Sequence, residues 1–183
     1  MATHSSTDEL VAALYAADGK AEIVGGELIL MSPAGDRHNR AGGNIYLSLR
    51  QYERTATRGR AFTDNAGFLV ELENRKSFSP DVAFHLGPAT GAKFLSGAPV
   101  FAVEVRSEDD YGAAAERDLA AKRADYFAAG TRVVWDVDAL REPAIRVYAA
   151  ETPDAPRVYR KSETAEAEPA LPGWTFRVDD LLE

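Results

Sequence analysis

Cysteine is absent from this 183-residue chain, which removes disulfides and thiolate metal sites together and leaves oxygen or imidazole as the ligands for any metal. Such a donor set suits a hard cation. No stretch approaches the ~20 apolar residues of a membrane span, and Met1 to Asp8 lacks the apolar core of a secretory signal, so a cytoplasmic protein with no membrane partner is expected. A Gly-rich phosphate loop, a dinucleotide fingerprint and a Ser-His-Asp order are also missing, which disfavours kinases, dehydrogenases and serine hydrolases. Positive charge is scarce overall: the formal net charge of −8 argues against a surface broadly adhesive to nucleic acid. The deficit is uneven, however. Between residues 37 and 60, the six arginines Arg37, Arg40, Arg50, Arg54, Arg58 and Arg60 stand against one acid, Glu53. By pattern alone this is either a phosphate-binding patch or a solvated helix face.

What is present suits one globular domain spanning 1–183, since 45% hydrophobic residues over this length can build a sizeable core. Thr7 reads as an N-cap for a short helix from Asp8 to Ala17. Ala21 to Val24, Gly25-Gly26 and Glu27 to Met31 read as a β-hairpin. Ile45, Leu49 and Tyr52 recur at helical spacing within a helix expected from Asp36 to about Thr57. A strand is expected over Ala66 to Leu72. Strand, helix and strand over 99–137, with the helix at about Ala113 to Ala129 before Gly130, form a βαβ-like unit with adjacent parallel strands. Further strands are expected at Ile145 to Tyr148 and Val158-Tyr159. Residues 163–169, acidic and rich in Ala and Pro, look like a surface linker to a short C-terminal tail, the two covering about 163–183. The fold class is α/β, a mixed central β-sheet flanked by helices.

Two acids stand out because each interrupts an apolar strand. Asp81 lies in Ser79-Pro80-Asp81-Val82-Ala83-Phe84, and Glu104 in Val100-Phe101-Ala102-Val103-Glu104-Val105-Arg106. An unpartnered polar group in such a setting costs about 2–7 kcal/mol, so each acid needs a cation, an ion pair or a catalytic purpose. Glu104 shares a face with Ala102 and Arg106, toward the strand's C-terminal end, where ligands collect in open α/β sheets. On the following helix, Asp118, Lys122 and Asp125 fall on one face beside an apolar stripe of Ala120, Ala124 and Phe127, so Lys122 either turns toward the site or forms a surface pair with Asp118. Glu22 and Glu27, which flank the Gly-Gly turn, read as ordinary hairpin-edge acids, with Glu27 retained as a candidate third carboxylate.

Taken together, Glu22 to Leu28, Met31-Ser32-Pro33 with His38 after it, Pro80 to Ala83, Val103 to Ser107, Asp118 through Lys122 to Tyr126, Ala129-Gly130 and Val134 to Asp138 occur in an order that resembles the Uma-two family of restriction-endonuclease-like proteins, a branch of the PD-(D/E)XK nucleases. The resemblance implies a restriction-endonuclease-like core and a metal-dependent endonuclease hydrolysing phosphodiester bonds, with DNA rather than RNA as the favoured partner. It further implies Asp81, Glu104 and the Val105 carbonyl as ligands of Mg²⁺ or Mn²⁺, Lys122 as the catalytic lysine, and His38 as an accessory residue. A homodimer is an expectation of the same kind. One departure is plain: the superfamily's lysine two residues after the second acid is here Arg106, which can stabilise charge but cannot act as a base. Two rivals stay open, a catalytically weak nucleic-acid-binding or regulatory module on the same fold and a metal-free two-carboxylate hydrolase of the glycosidase type.

Overall fold

The computed structural model describes residues 6–183. Helix α1 (Thr7–Ala16) leads into the hairpin β1 (Ala21–Val24) and β2 (Glu27–Leu30), followed by α2 (Asp36–Glu53) and β3 (Arg60–Phe62). Short strands β4 (Phe68–Leu69) and β5 (Ser77–Phe78) precede β6 (Val82–His85). After β7 (Leu95–Ser96) come β8 (Phe101–Val105), α3 (Ala113–Ala128), β9 (Val133–Asp138), β10 (Ala144–Ala149) and β11 (Thr152–Arg160). The chain closes with β12 (Thr164–Glu166), β13 (Thr175–Arg177) and a 3₁₀ turn at Val178–Leu181.

Six strands make one mixed sheet in the order β11-β10-β9-β8-β6-β3. Only β8 and β9 run parallel within it, with Glu104 opposite Asp136, because α3 carries the chain back to the starting end of the sheet as the crossover of a βαβ unit requires. Strand alternation then sorts the side chains. Val82, Phe84, Phe101, Val103, Val105, Trp135 and Val137 share a cluster with Ile45 and Leu49 of α2, while Ala83, Ala102 and Val134 share another with Tyr126 of α3 and Phe68, Phe78 and Leu95. Full burial of each large apolar side chain is worth about 1.5–3 kcal/mol, so the two layers clamp the sheet from both faces.

Several elements differ from expectation for local reasons. Ser6, not Thr7, caps α1: its hydroxyl accepts from the Glu9 N–H at 3.3 Å while the Glu9 carboxylate accepts from the Ser6 N–H at 2.8 Å. Helix α2 stops at Glu53 rather than about Thr57, since the Glu53 carboxylate turns to accept from the Ala61 N–H at 2.7 Å and the Thr55 hydroxyl donates back to the Tyr52 carbonyl. The expected strand over Ala66 to Leu72 contracts to β4, which joins β5 and β7 in a separate three-stranded sheet. Residues 163–169 are not a surface linker. Ala165 and Ala167 are fully buried, and Leu171, Trp174, Phe176 and Leu181 join the α2-side core, with Trp174 stacked on Trp135 at 5.0 Å between ring centroids.

Candidate active site

The positions that hold the site follow from strand register. Asp81 immediately precedes β6 and its N–H donates to the Val103 carbonyl at 3.1 Å, which sets its side chain beside the C-terminal half of β8. One carboxylate oxygen, Oδ2, accepts from the Val105 N–H at 2.8 Å and lies 3.3 Å from His38 Nε2; the other, Oδ1, accepts from Lys20 Nζ at 2.6 Å. His38 reaches in from the first turn of α2, and Lys20 from the link between α1 and β1. Burial alone would push the Asp81 carboxyl up. The contact with His38 and the charge of Lys20 overcome it and hold that carboxyl well below the usual range. His38 responds in kind: burial works to lower its imidazole, but Asp81 raises it above its ordinary value.

Glu104 is built differently. Its Oε2 accepts from Lys122 Nζ at 2.9 Å and its Oε1 from the Tyr126 hydroxyl at 2.6 Å, both donors projecting from α3 one turn apart. Burial pushes this carboxyl up, Lys122 opposes, and the like charges of Asp81 and Glu22 add to burial, so its pKa ends above the ordinary value. Lys122 and Tyr126 thus occupy both Glu104 oxygens without bringing its carboxyl down to the ordinary value. Lys122 is held the other way: burial works against its charge, yet Glu104 and Glu22 outweigh burial and keep the ammonium firmly protonated. It does not pair with Asp118, which is exposed.

The sequence reading missed two members of this cluster. Glu22 is buried, with 3% side-chain exposure: Oε1 accepts from the Ser79 N–H at 2.8 Å and lies 3.0 Å from Lys122 Nζ, and Oε2 accepts from Arg75 Nη1 at 2.6 Å. Arg75 in turn donates from Nε to Asp125 at 2.8 Å and lies over the Phe78 ring. The signal was available, since Glu22 sits between Ala21 and Ile23 as Asp81 and Glu104 sit among apolar neighbours. Lys20 carried no such signal.

Other expected residues lie elsewhere. Glu27 is exposed across the Gly25-Gly26 turn and makes no contact with the cluster, whereas Glu22, on the paired strand, is the buried acid of the hairpin. Arg106 shares the α3 face with Glu104 but is committed, donating from Nε and Nη2 to both Asp136 oxygens at 2.6 Å each and from Nη1 to Glu116 at 2.5 Å. The stripe that α3 turns to the sheet is Leu119, Lys122, Arg123 and Tyr126, and Ala120 and Ala124 are exposed. This helix packs a polar stripe because the sheet face beneath it bears Glu104, Arg106 and Asp136. The arginines of residues 37–60 do not form one patch: Arg37 and Arg40 lie near the start of α2, Arg37 donating to the Leu140 carbonyl at 3.0 Å, whereas Arg50 and Arg54 lie about 20–26 Å along the helix axis from Arg37. Arg50 pairs with Glu53, Arg60 donates to the Pro88 carbonyl at 2.8 Å, and Arg58 is exposed.

A hard divalent cation fits these residues. The carboxylate donors are oxygen atoms, and the Val105 N–H that reaches Asp81 puts the carbonyl of the same residue on that edge of the strand. Among the described residues no three His, Asp or Glu side chains converge to cage an ion, so water and substrate oxygen would complete its shell, the usual habit of Mg²⁺. Among those residues, too, no helix is long and apolar enough to cross a membrane.

A search of curated proteins gives no match. Among solved structures, the fold is similar to one described as a "putative nuclease belonging to DUF820 from Anabaena variabilis ATCC 29413", with a TM-score of 0.74, 14% sequence identity, and coverage of 94% of this chain and 96% of that one. The Uma2 family model, described as "Putative restriction endonuclease", matches residues 8–179. With nearly its whole length matched, the chain belongs to the Uma2 family of restriction-endonuclease-like nucleases.

Proposed function

We propose that the protein is a divalent-cation-dependent endonuclease that hydrolyses phosphodiester bonds, with DNA preferred to RNA. Asp81, Glu104 and the Val105 carbonyl would hold Mg²⁺ or Mn²⁺. Such an ion, when bound, supplies a Lewis acid that neutralises phosphate charge and lowers the pKa of water. The observation that carries this reading is the pairing of two acids on adjacent strand ends, Asp81 held by the Val105 N–H at 2.8 Å and Glu104 by Lys122 at 2.9 Å.

The chain's own groups have separable tasks. Lys122, kept protonated in the metal-free protein by Glu104 and Glu22, stabilises negative charge developing on the phosphate. Tyr126 and Lys122 fix the two oxygens of Glu104. His38 and Lys20 hold Asp81, and Arg37 and Arg40, from the same end of α2 as His38, meet the nucleic-acid backbone. With a net charge of −8 the remaining surface repels polyanions, so binding should be local and strongly salt-dependent.

One observation favours the rival of a binding module: each acid already has its own lysine, Lys20 for Asp81 and Lys122 for Glu104. Incubating duplex DNA, single-stranded DNA and RNA with the protein in Mg²⁺, Mn²⁺ or EDTA separates the two. Cleavage that requires the ion and is lost in Asp81→Asn and Glu104→Gln supports the nuclease; retention of nucleic acid without cleavage under every condition supports the module.

A further inference from the structure

Lys20 sits where no motif would have placed a functional residue. Gly19, at φ +116°, turns the chain between α1 and β1, and the Lys20 carbonyl accepts from the Met31 N–H at 2.9 Å, so the backbone of Lys20 is fixed by the hairpin. Its side chain is not bound to a single partner. The ammonium lies 2.6 Å from Asp81 Oδ1 and 2.7 Å from Asp64 Oδ1. The two partners differ sharply: the Asp81 side chain is 7% exposed, whereas that of Asp64 is 42% exposed. Glu104 also acts on the Lys20 charge, which places this ammonium within electrostatic reach of both acids proposed to hold the cation.

Resting on the cation-binding reading above, we propose that Lys20 is a built-in counter-ion, neutralising Asp81 in the metal-free protein and competing with a divalent cation for that carboxylate. The two-partner geometry makes the exchange feasible. An ammonium on a flexible four-carbon stem can release Asp81 and keep Asp64, which stands nearer solvent, without any movement of the backbone. The arrangement also explains how a buried carboxylate survives without an ion, since an unpaired buried charge is strongly destabilising. Lys122 is not equivalent. It bridges Glu104 and Glu22, both nearly buried, and pairs with no exposed acid.

Calorimetric titration with Mn²⁺ alone tests this on wild type, Lys20→Met and Lys20→Gln, the last keeping a hydrogen-bond donor for Asp81 should the methionine variant fold poorly. Removing a competing positive charge at contact distance should tighten Mn²⁺ binding by roughly tenfold or more. In EDTA the same variants should melt below wild type, and Mn²⁺ should narrow that gap. Measurable wild-type binding with equal or weaker binding by both variants overturns the counter-ion role and leaves the cation site standing. No Mn²⁺ binding by wild type or either variant overturns both.

Discussion

Replacing Glu22 by glutamine tests whether the buried network supports the site as described. Glu22 has 3% side-chain exposure and accepts from Arg75 at 2.6 Å and from the Ser79 N–H at 2.8 Å, with Lys122 at 3.0 Å. Breaking a buried ion pair by removing one partner costs about 3–5 kcal/mol. Here Arg75 keeps Asp125 and Lys122 keeps Glu104, so neither cation is orphaned and the cost falls near about 3 kcal/mol. For a chain of this length that lowers the melting temperature by roughly 6–12 °C. Glu104→Gln is the control. Because the fold already disfavours ionised Glu104, and a glutamine oxygen still accepts from Tyr126, its cost in EDTA should stay below about 1 kcal/mol. The difference has a pH signature as well. Burial works to raise the Glu22 carboxyl, but Lys122 and Arg75 hold it below its ordinary 4.5, so its contribution is complete above that value and is lost as pH falls through the folded pKa. The gap between wild type and Glu22→Gln should therefore shrink in acid. Calorimetric melts in EDTA at neutral and acid pH decide the matter: a Glu22→Gln protein melting within about 2 °C of wild type, or a Glu104→Gln protein melting lower still, would refute the reasoning.

Lys122→Met should cut turnover by about 10²-fold or more without weakening Mn²⁺ binding, measured by single-turnover cleavage beside calorimetry; unchanged turnover would remove the lysine from the chemistry. Arg106→Ala should lose stability through Asp136 and Glu116 rather than activity as such, so at a temperature where it stays folded its cleavage per folded molecule should match wild type. His85 is buried and its imidazole is pushed below its ordinary 6.5, chiefly by burial, so stability should fall as pH drops below 6.5, by at most about 1.4 kcal/mol per pH unit. His38 has the opposite sign, its raised pKa adding stability at low pH that is lost as pH rises, so the readout is the flatter slope of denaturant midpoints between pH 6.5 and 5 in His85→Leu than in wild type. Truncation after Arg160 should leave the chain unable to fold cooperatively, since it deletes Trp174, Phe176 and Leu181 from the core; a sharp near-wild-type melt would contradict their assignment.

The sheet was legible where a residue's environment repeats along its own strand. Alternation in Phe101 to Val105 showed which face Glu104 would take, and the apolar spacing of Ile45 and Leu49 showed the buried side of α2. The Gly25-Gly26 turn, with positive φ at both positions, announced its hairpin. Residues whose role depends on contacts distant in sequence were not legible. Glu22 and Glu27 look alike beside that turn, and only Arg75 and Lys122, more than fifty residues away, make one a buried partner and leave the other in water. Lys20 needed Asp81 and Asp64 to acquire meaning. The C-terminal misreading had a subtler cause: in Thr164-Ala165-Glu166-Ala167-Glu168 the small buried alanines alternate with acids, a period-two pattern hidden by acidic composition.

The most direct measurement is the anomalous scattering of Mn²⁺ in crystals soaked with that ion. One peak touched by Asp81, Glu104 and the Val105 carbonyl, with the Lys20 ammonium drawn off Asp81, is the predicted result. A map with no peak there, and with the Lys20–Asp81 and Lys122–Glu104 pairs undisturbed at saturating Mn²⁺, would contradict a cation-dependent nuclease and leave two buried ion pairs on a nuclease fold.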